Sequence, residues 1–214
     1  MQIEQLHSKF DKLQHSFGHQ SLRSIYGAGC IEKPKVMLVF MNPTGKNISS
    51  QVHWKGLRAP WLGTKTVWQL FHDLWFISDK SFKKTQELKT EEWTADFAEA
   101  LYLELKKKKV YITNLAKCTQ IDARSLKDSI FREYLDLMFR EIELVNPDNI
   151  ITFGNQVSSI ILNTQISVSK YFGEKKEILK IGKKDFNIYP VFYPVGQGRR
   201  NMPLAVNRIC EIIK

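Results

Sequence analysis

The chain has 214 residues, 43% hydrophobic and 12% aromatic, enough to bury a substantial core in one domain spanning 1–214 and too apolar for a largely disordered protein. Lys and Arg outnumber Asp and Glu by 32 to 22, a net charge of +10, which favours a polyanionic partner such as nucleic acid, a basic surface for solubility being the plainer reading. No apolar run approaches the roughly 20 residues that span a bilayer, and the polar N-terminus lacks a signal-peptide core, so the expectation is a cytoplasmic protein without a membrane partner.

Ile3, Leu6, Phe10, Leu13 and Phe17 fall near a helical stripe, predicting a helix over about 3–17 before the core begins near 23. Gly27-Ala28-Gly29 breaks the chain ahead of a first apolar strand at 36–40, which runs into the stiff turn Met41-Asn42-Pro43. Residues 42–63 read as a long loop with Gly45, Gly56, Pro60 and two tryptophans, and loops of that length in compact domains are usually functional. Val67, Leu70, Phe71, Leu74 and Trp75 recur at i, i+3, i+4, i+7, i+8 and mark a helix packed on a sheet. A helix near 91–105 ends in Lys106-Lys107-Lys108-Lys109, read as a solvated charge cluster at a helix C-terminus. Strand 110–113, a helix over 128–145, strand 149–153 and a helix over 155–162 follow, then an irregular basic hairpin over 165–186, a strand at 188–193 and a closing helix striped by Val206, Ile209, Cys210 and Ile213. Strands alternating with helices predict an α/β fold: a three-layer α/β/α sandwich around a central four-stranded parallel sheet. Such sheets carry their chemistry at the C-terminal strand ends, here near Asn42, Asn114, Gly154 and Tyr193.

Pro43-Thr44-Gly45-Lys46-Asn47 is not a nucleoside triphosphate loop, because Phe40 and Asn47 stand where that motif needs Gly and Ser or Thr. No G-x-G-x-x-G follows a strand. His15 and His19 share a helix face with no third ligand near in sequence, so no metal is expected. His53, in the long loop, is a weak functional candidate, and His72 reads as structural.

Several fragments together resemble the uracil-DNA glycosylase superfamily, nearest to its iron-sulfur branch. They are Ile25-Tyr26-Gly27-Ala28-Gly29, the strand and turn at 36–45, Ala59-Pro60-Trp61-Leu62-Gly63, Tyr111-Ile112-Thr113-Asn114-Leu115-Ala116-Lys117-Cys118, the segment from Pro147 to Gly154, and Phe192-Tyr193-Pro194, in that order between about Arg23 and Asn201. The resemblance implies a monofunctional DNA glycosylase of base-excision repair, with its pocket at the strand ends. Asn42 would position water, being too weakly basic to take its proton; a turn cap is the plainer role. Trp61 would stack on the extruded base, a contact worth about 1–3 kcal/mol, against the alternative of a core tryptophan. Asn114 would read the base edge, its amide offering the donor and acceptor that match uracil and discriminate against cytosine. Lys46, Lys117, Arg124, Arg199 and Arg200 would line a phosphate-binding rim. The segment from Val195 to Asn201, with Gln197 in it, would approach the minor groove on two glycines.

Two departures qualify that expectation. The final motif of the family begins His-Pro, the histidine stabilising the departing base, whereas Tyr193-Pro194 stands here. Of the four cluster ligands only Cys118 is present, with Gln14, Phe17 and Phe131 in the other positions, and Cys30 and Cys210 complete the chain's three cysteines. No cluster and no other cofactor are expected, and the cysteines read as reduced thiols. The expected partner is DNA carrying uracil or another deaminated base, bound by a monomer, with Asn42 and Tyr193 as the catalytic pair. A catalytically silent nucleic-acid-binding protein of the same fold and a small-molecule nucleoside hydrolase are the alternatives.

Overall fold

The computed structural model describes residues 3–123 and 126–214. Its centre is β2 (Val36–Phe40), an uninterrupted apolar run whose residues are all buried, as expected of a strand covered on both faces. Around it the sheet runs in the order β1-β3-β2-β4-β6-β5, with β1 (Ala28–Gly29), β3 (Val110–Asn114), β4 (Asn149–Phe153), β5 (Glu177–Ile181) and β6 (Lys184–Val191). The four strands β3, β2, β4 and β6 are mutually parallel. To the predicted parallel core the structure adds two antiparallel edges: β1, only two residues long, pairs with β3, and β5 forms a hairpin with β6. The basic hairpin expected at 165–186 is displaced: β5 pairs with the fourth core strand itself, which runs from Lys184 to Val191 rather than from 188 to 193, and a 3₁₀ turn at Val168–Lys170 precedes the hairpin.

Alternation along the strands sends side chains to two layers. Val36, Leu38 and Phe40 pack with α2 (Thr66–Asp73), α4 (Ala95–Lys107) and α8 (Met202–Ile212). Met37 and Val39 pack with α1 (Glu4–Phe17), α5 (Asp128–Arg132), α6 (Leu135–Val145) and α7 (Gly154–Leu162). The single helix expected over 128–145 is thus two, α5 and α6. Phe131, Tyr134, Met138, Ile142 and Val145 keep one buried helical stripe across the break, so periodicity does not register it. The short helix α3 (Asp79–Glu87) went unpredicted because it buries only Thr85 and carries no apolar stripe to read.

After β2 the chain crosses to β3 on one side, then returns past β2 to reach β4 on the other. Neighbouring connections therefore diverge at the C-terminal ends of β2 and β4, the place where open α/β sheets form a crevice. No helix among the described residues is long and apolar enough to cross a membrane.

Candidate functional site

Phe40 and Asn114 are register partners on β2 and β3, and Phe153 ends β4 beside Val191 of β6. These residues form the last rung of the parallel sheet. Phe40 stacks on Phe153 with ring centroids 4.3 Å apart. Three further rings approach Phe40 edge-on, Trp61 at 5.0 Å, Tyr193 at 6.4 Å and Phe71 of α2 at 6.5 Å. Phe40 is therefore the common floor that brings together Trp61 from the long loop and Tyr193 from beyond β6, with Asn114 alongside.

Asn114 is 2% exposed, and its buried Nδ2 has no hydrogen-bond partner among the described residues. A buried amide donor left unmatched costs about 1–3 kcal/mol, so this one calls for an acceptor, which ordered water or a ligand can supply. Trp61 carries a second such donor: its Nε1 is also buried and unpartnered. Its backbone adopts φ 70°, unusual for a bulky residue and typical of strain kept at functional positions. The strain is held from several sides. The Trp61 carbonyl accepts from Thr64 N at 3.1 Å, Thr64 Oγ1 at 2.6 Å and Trp68 Nε1 at 3.2 Å, while the preceding Pro60 carbonyl accepts from Tyr102 OH at 2.6 Å.

Asn42 is half-buried in the turn after β2, its Nδ2 donating to the Pro43 carbonyl at 3.2 Å. The tail of β3 zips onto that turn: Leu115 N donates to Phe40 O at 2.8 Å, Ala116 N to Met41 O at 3.0 Å and Gln120 N to Pro43 O at 3.1 Å. Asn42 thus sits on a rigid ledge at the end of β2, next to the ledge that carries Asn114.

Tyr193 is half-buried, and burial pushes its phenol up to about 12, so it remains a protonated donor across the physiological range. The chain then doubles back through the short 3₁₀ helix Gly196–Asn201. At Gly198 it passes so close that an added Cβ would lie 2.0 Å from the Tyr193 carbonyl oxygen; only glycine fits there.

Lys46 follows the β2 turn and Arg199 and Arg200 lie in that 3₁₀ helix; all three are exposed. Arg124 and the Gln197 side chain lie outside the described residues. Lys117 corrects the predicted rim. Its side chain is 0% exposed and its ammonium lies 2.6 Å from Glu141 Oε2, so it does not reach a phosphate. Burial, chiefly, lowers its pKa, with Glu141 opposing. The sequence holds a signal for this: Glu141 occupies the buried stripe of α6 with Met138, Ile142 and Val145, where an acidic residue requires a partner. Phe40 is the other component that sequence reasoning missed, because a phenylalanine ending an apolar strand looks like ordinary core. His53 is exposed. His72 is half-buried and structural, 2.8 Å from Asp79 Oδ1 and stacked on Phe82 at 4.3 Å.

The residues do not suit an iron-sulfur cluster. Cys118 is fully buried and its thiol pKa is raised, first by burial. Gln14, in a cluster position, instead accepts from Thr119 N at 2.7 Å and donates to His19 O at 3.0 Å. Gln120 Nε2 donates to Phe17 O at 2.7 Å. A hydrogen-bonded knot ties α1 to the tail of β3 where a cluster would need thiolates.

A family model described as Uracil DNA glycosylase superfamily matches residues 26–211. No curated protein matches the chain.

Proposed function

The chain belongs to the uracil DNA glycosylase superfamily, and from that membership we propose that it hydrolyses the N-glycosidic bond of uracil, or of a related deaminated base, in DNA. The nucleotide leaves the helical stack and its base packs against Asn114, Trp61 and Tyr193 at the last rung of the parallel sheet. The observation that carries this reading is the buried, unpartnered Asn114 Nδ2 on the same rung as Phe40, an amide donor matched to the O4 of uracil. Trp61 walls the base.

Cleavage leads. The C1′–N1 bond breaks with its electron pair passing to the base, whose negative charge is met by Asn114 and by the phenol of Tyr193. Asn42 holds a water beneath C1′; the water adds to the oxocarbenium-like sugar and releases its proton to solvent, since an amide cannot accept it. Lys46, Arg199 and Arg200 hold the flanking phosphates.

The test is an oligonucleotide panel containing uracil, hypoxanthine and mismatches, treated with alkali after incubation with wild type or Asn42→Ala. Abasic product from the uracil strand, reduced about 100-fold or more by Asn42→Ala, is expected. No product on any substrate overturns the enzymatic reading. Salt-sensitive binding without cleavage would then favour a silent DNA-binding protein, the second reading, which the tyrosine in place of histidine supports.

A further inference from the structure

We propose that the buried Lys117–Glu141 pair is a positioning device that aims the Asn114 amide at the base, an inference that rests on the reading of Asn114 given above. The pair sits directly behind the residue it serves. Lys117 Nζ donates to Thr113 Oγ1 at 2.6 Å and, through a very short contact, to the backbone carbonyl of Asn114. The third direction of the ammonium faces Glu141 Oε2 at 2.6 Å. The other carboxylate oxygen, Oε1, accepts from Tyr111 OH and from Thr113 Oγ1, both at 2.8 Å. Phe10 of α1 closes the remaining side, its ring centroid 5.1 Å from the ammonium.

The peptide between Asn114 and Leu115 is consequently held at both ends. Its carbonyl is bound by Lys117, and its N–H donates to Phe40 O at 2.8 Å. A pinned peptide plane fixes the direction in which the Asn114 side chain leaves the backbone. Nδ2 itself has no hydrogen-bond partner among the described residues, so the backbone and the packing around this buried side chain set its aim. A buried ion pair is a weak source of fold stability, because exchanging one for uncharged groups of similar volume is often neutral or stabilising. Reading a base by hydrogen bonds, in contrast, needs the reader held within a fraction of an ångström.

The variant Lys117→Met/Glu141→Gln removes the donor to the Asn114 carbonyl, strands no charge and keeps an acceptor for Tyr111 and Thr113. Glu141→Asp alone is milder: it keeps the negative charge facing Lys117 and draws the carboxylate back by one methylene. For each, four quantities are measured: melting temperature, affinity for undamaged duplex DNA, uracil excision with its inhibition by free uracil, and the Asn114 side-chain amide signals in ¹H–¹⁵N spectra, assigned through Asn114→Ala. The double variant is expected to stay folded and bind undamaged DNA as wild type does. It is expected to lose about 10–100-fold in both kcat and free-uracil inhibition, with the Asn114 signals broadened or shifted; Glu141→Asp is expected to lose a smaller factor in the same measurements. A purely structural role would lower the melting temperature and scale every activity with the folded fraction, leaving the inhibition constant of the remaining enzyme unmoved. That pattern, or a folded variant with unchanged excision, inhibition and amide signals, overturns the proposal. If the double variant does not fold, Glu141→Asp, which strands no charge, decides by the same criteria. Should wild type cleave nothing, the glycosylase reading fails, and the amide signals still decide whether the pair orders Asn114.

Discussion

Tyr193 stands where the resembling family carries a histidine, and the two side chains differ most in their proton chemistry. Desolvation lifts the Tyr193 phenol to about 12, whereas an unperturbed imidazole titrates near about 6.5. The rate of excision is therefore expected to show no titration from this residue between about pH 6 and pH 9, and Tyr193→His is expected to introduce one near neutrality. Tyr193→Phe keeps the edge-on packing against Phe40 but removes the donor. Loss of one hydrogen bond to a developing anion costs on the order of 10²–10³ in kcat, and single-turnover rates at saturating enzyme are the measurement. An unchanged rate would remove Tyr193 from the chemistry.

The elements around the site are held by polar ties rather than by packing alone. Helix α1 is fastened to the long loop through Asp11, which accepts from Arg58 Nη2 at 2.6 Å, from Tyr26 OH at 2.9 Å and from Ser24 Oγ. Burial on its own would raise the Asp11 pKa, but the hydrogen bonds from Arg58, Ser24 and Tyr26 together outweigh it and the net shift is downward. A depressed folded-state value means the contribution is complete above the ordinary carboxylate pKa of 3.8 and is lost as pH falls through the lower native value. Urea melts at pH 3 and pH 7 are expected to show a smaller acid-induced loss of stability for Asp11→Asn than for wild type. At the other side of the site the loop after β6 depends on Gly198. Gly198→Ala would set a methyl 2.0 Å from the Tyr193 carbonyl oxygen, so the loop must move and carry Tyr193 with it. A fall in kcat of about 10-fold or more is expected, with a small change in melting temperature because the loop lies outside the buried core. A normal rate would show that Tyr193 is not held by this contact.

Across the whole protein, a net charge of +10 must be divided between charges available to DNA and charges committed to the fold. Lys46, Arg199 and Arg200 are exposed at the strand-end edge, whereas Lys117 is consumed internally and Arg208 is 6% exposed, clamping the carbonyls of Pro190, Gly173 and Lys175. Each phosphate contact contributes about 0.9 to the slope of log affinity against log salt. Replacing Lys46, Arg199 and Arg200 by Gln is therefore expected to reduce that slope by about 2–3 in duplex binding measurements, while the Lys117 variants leave it unchanged. A slope insensitive to the rim substitutions would locate the DNA-binding surface elsewhere.

The α/β architecture was legible because its information is local. A central strand such as β2 must be apolar throughout, surface helices such as α2 repeat their buried residues every three or four positions, and turns such as Met41-Asn42-Pro43 announce where strands stop. The positions of Asn42, Asn114 and Tyr193 at strand ends followed from the same patterns. Folding alone decided the rest. The break between α5 and α6 hides within an unbroken stripe, and α3 buries too little to leave a pattern. Phe40 became the floor of the site only through cross-strand register with Asn114 and Phe153. Lys117, which reads as a surface cation, is interior because Glu141, on the distant helix α6, meets it there. Periodicity reports which way a residue faces; whether a charge is solvated or enclosed depends on which distant segment packs against it, and that is a property of the tertiary structure.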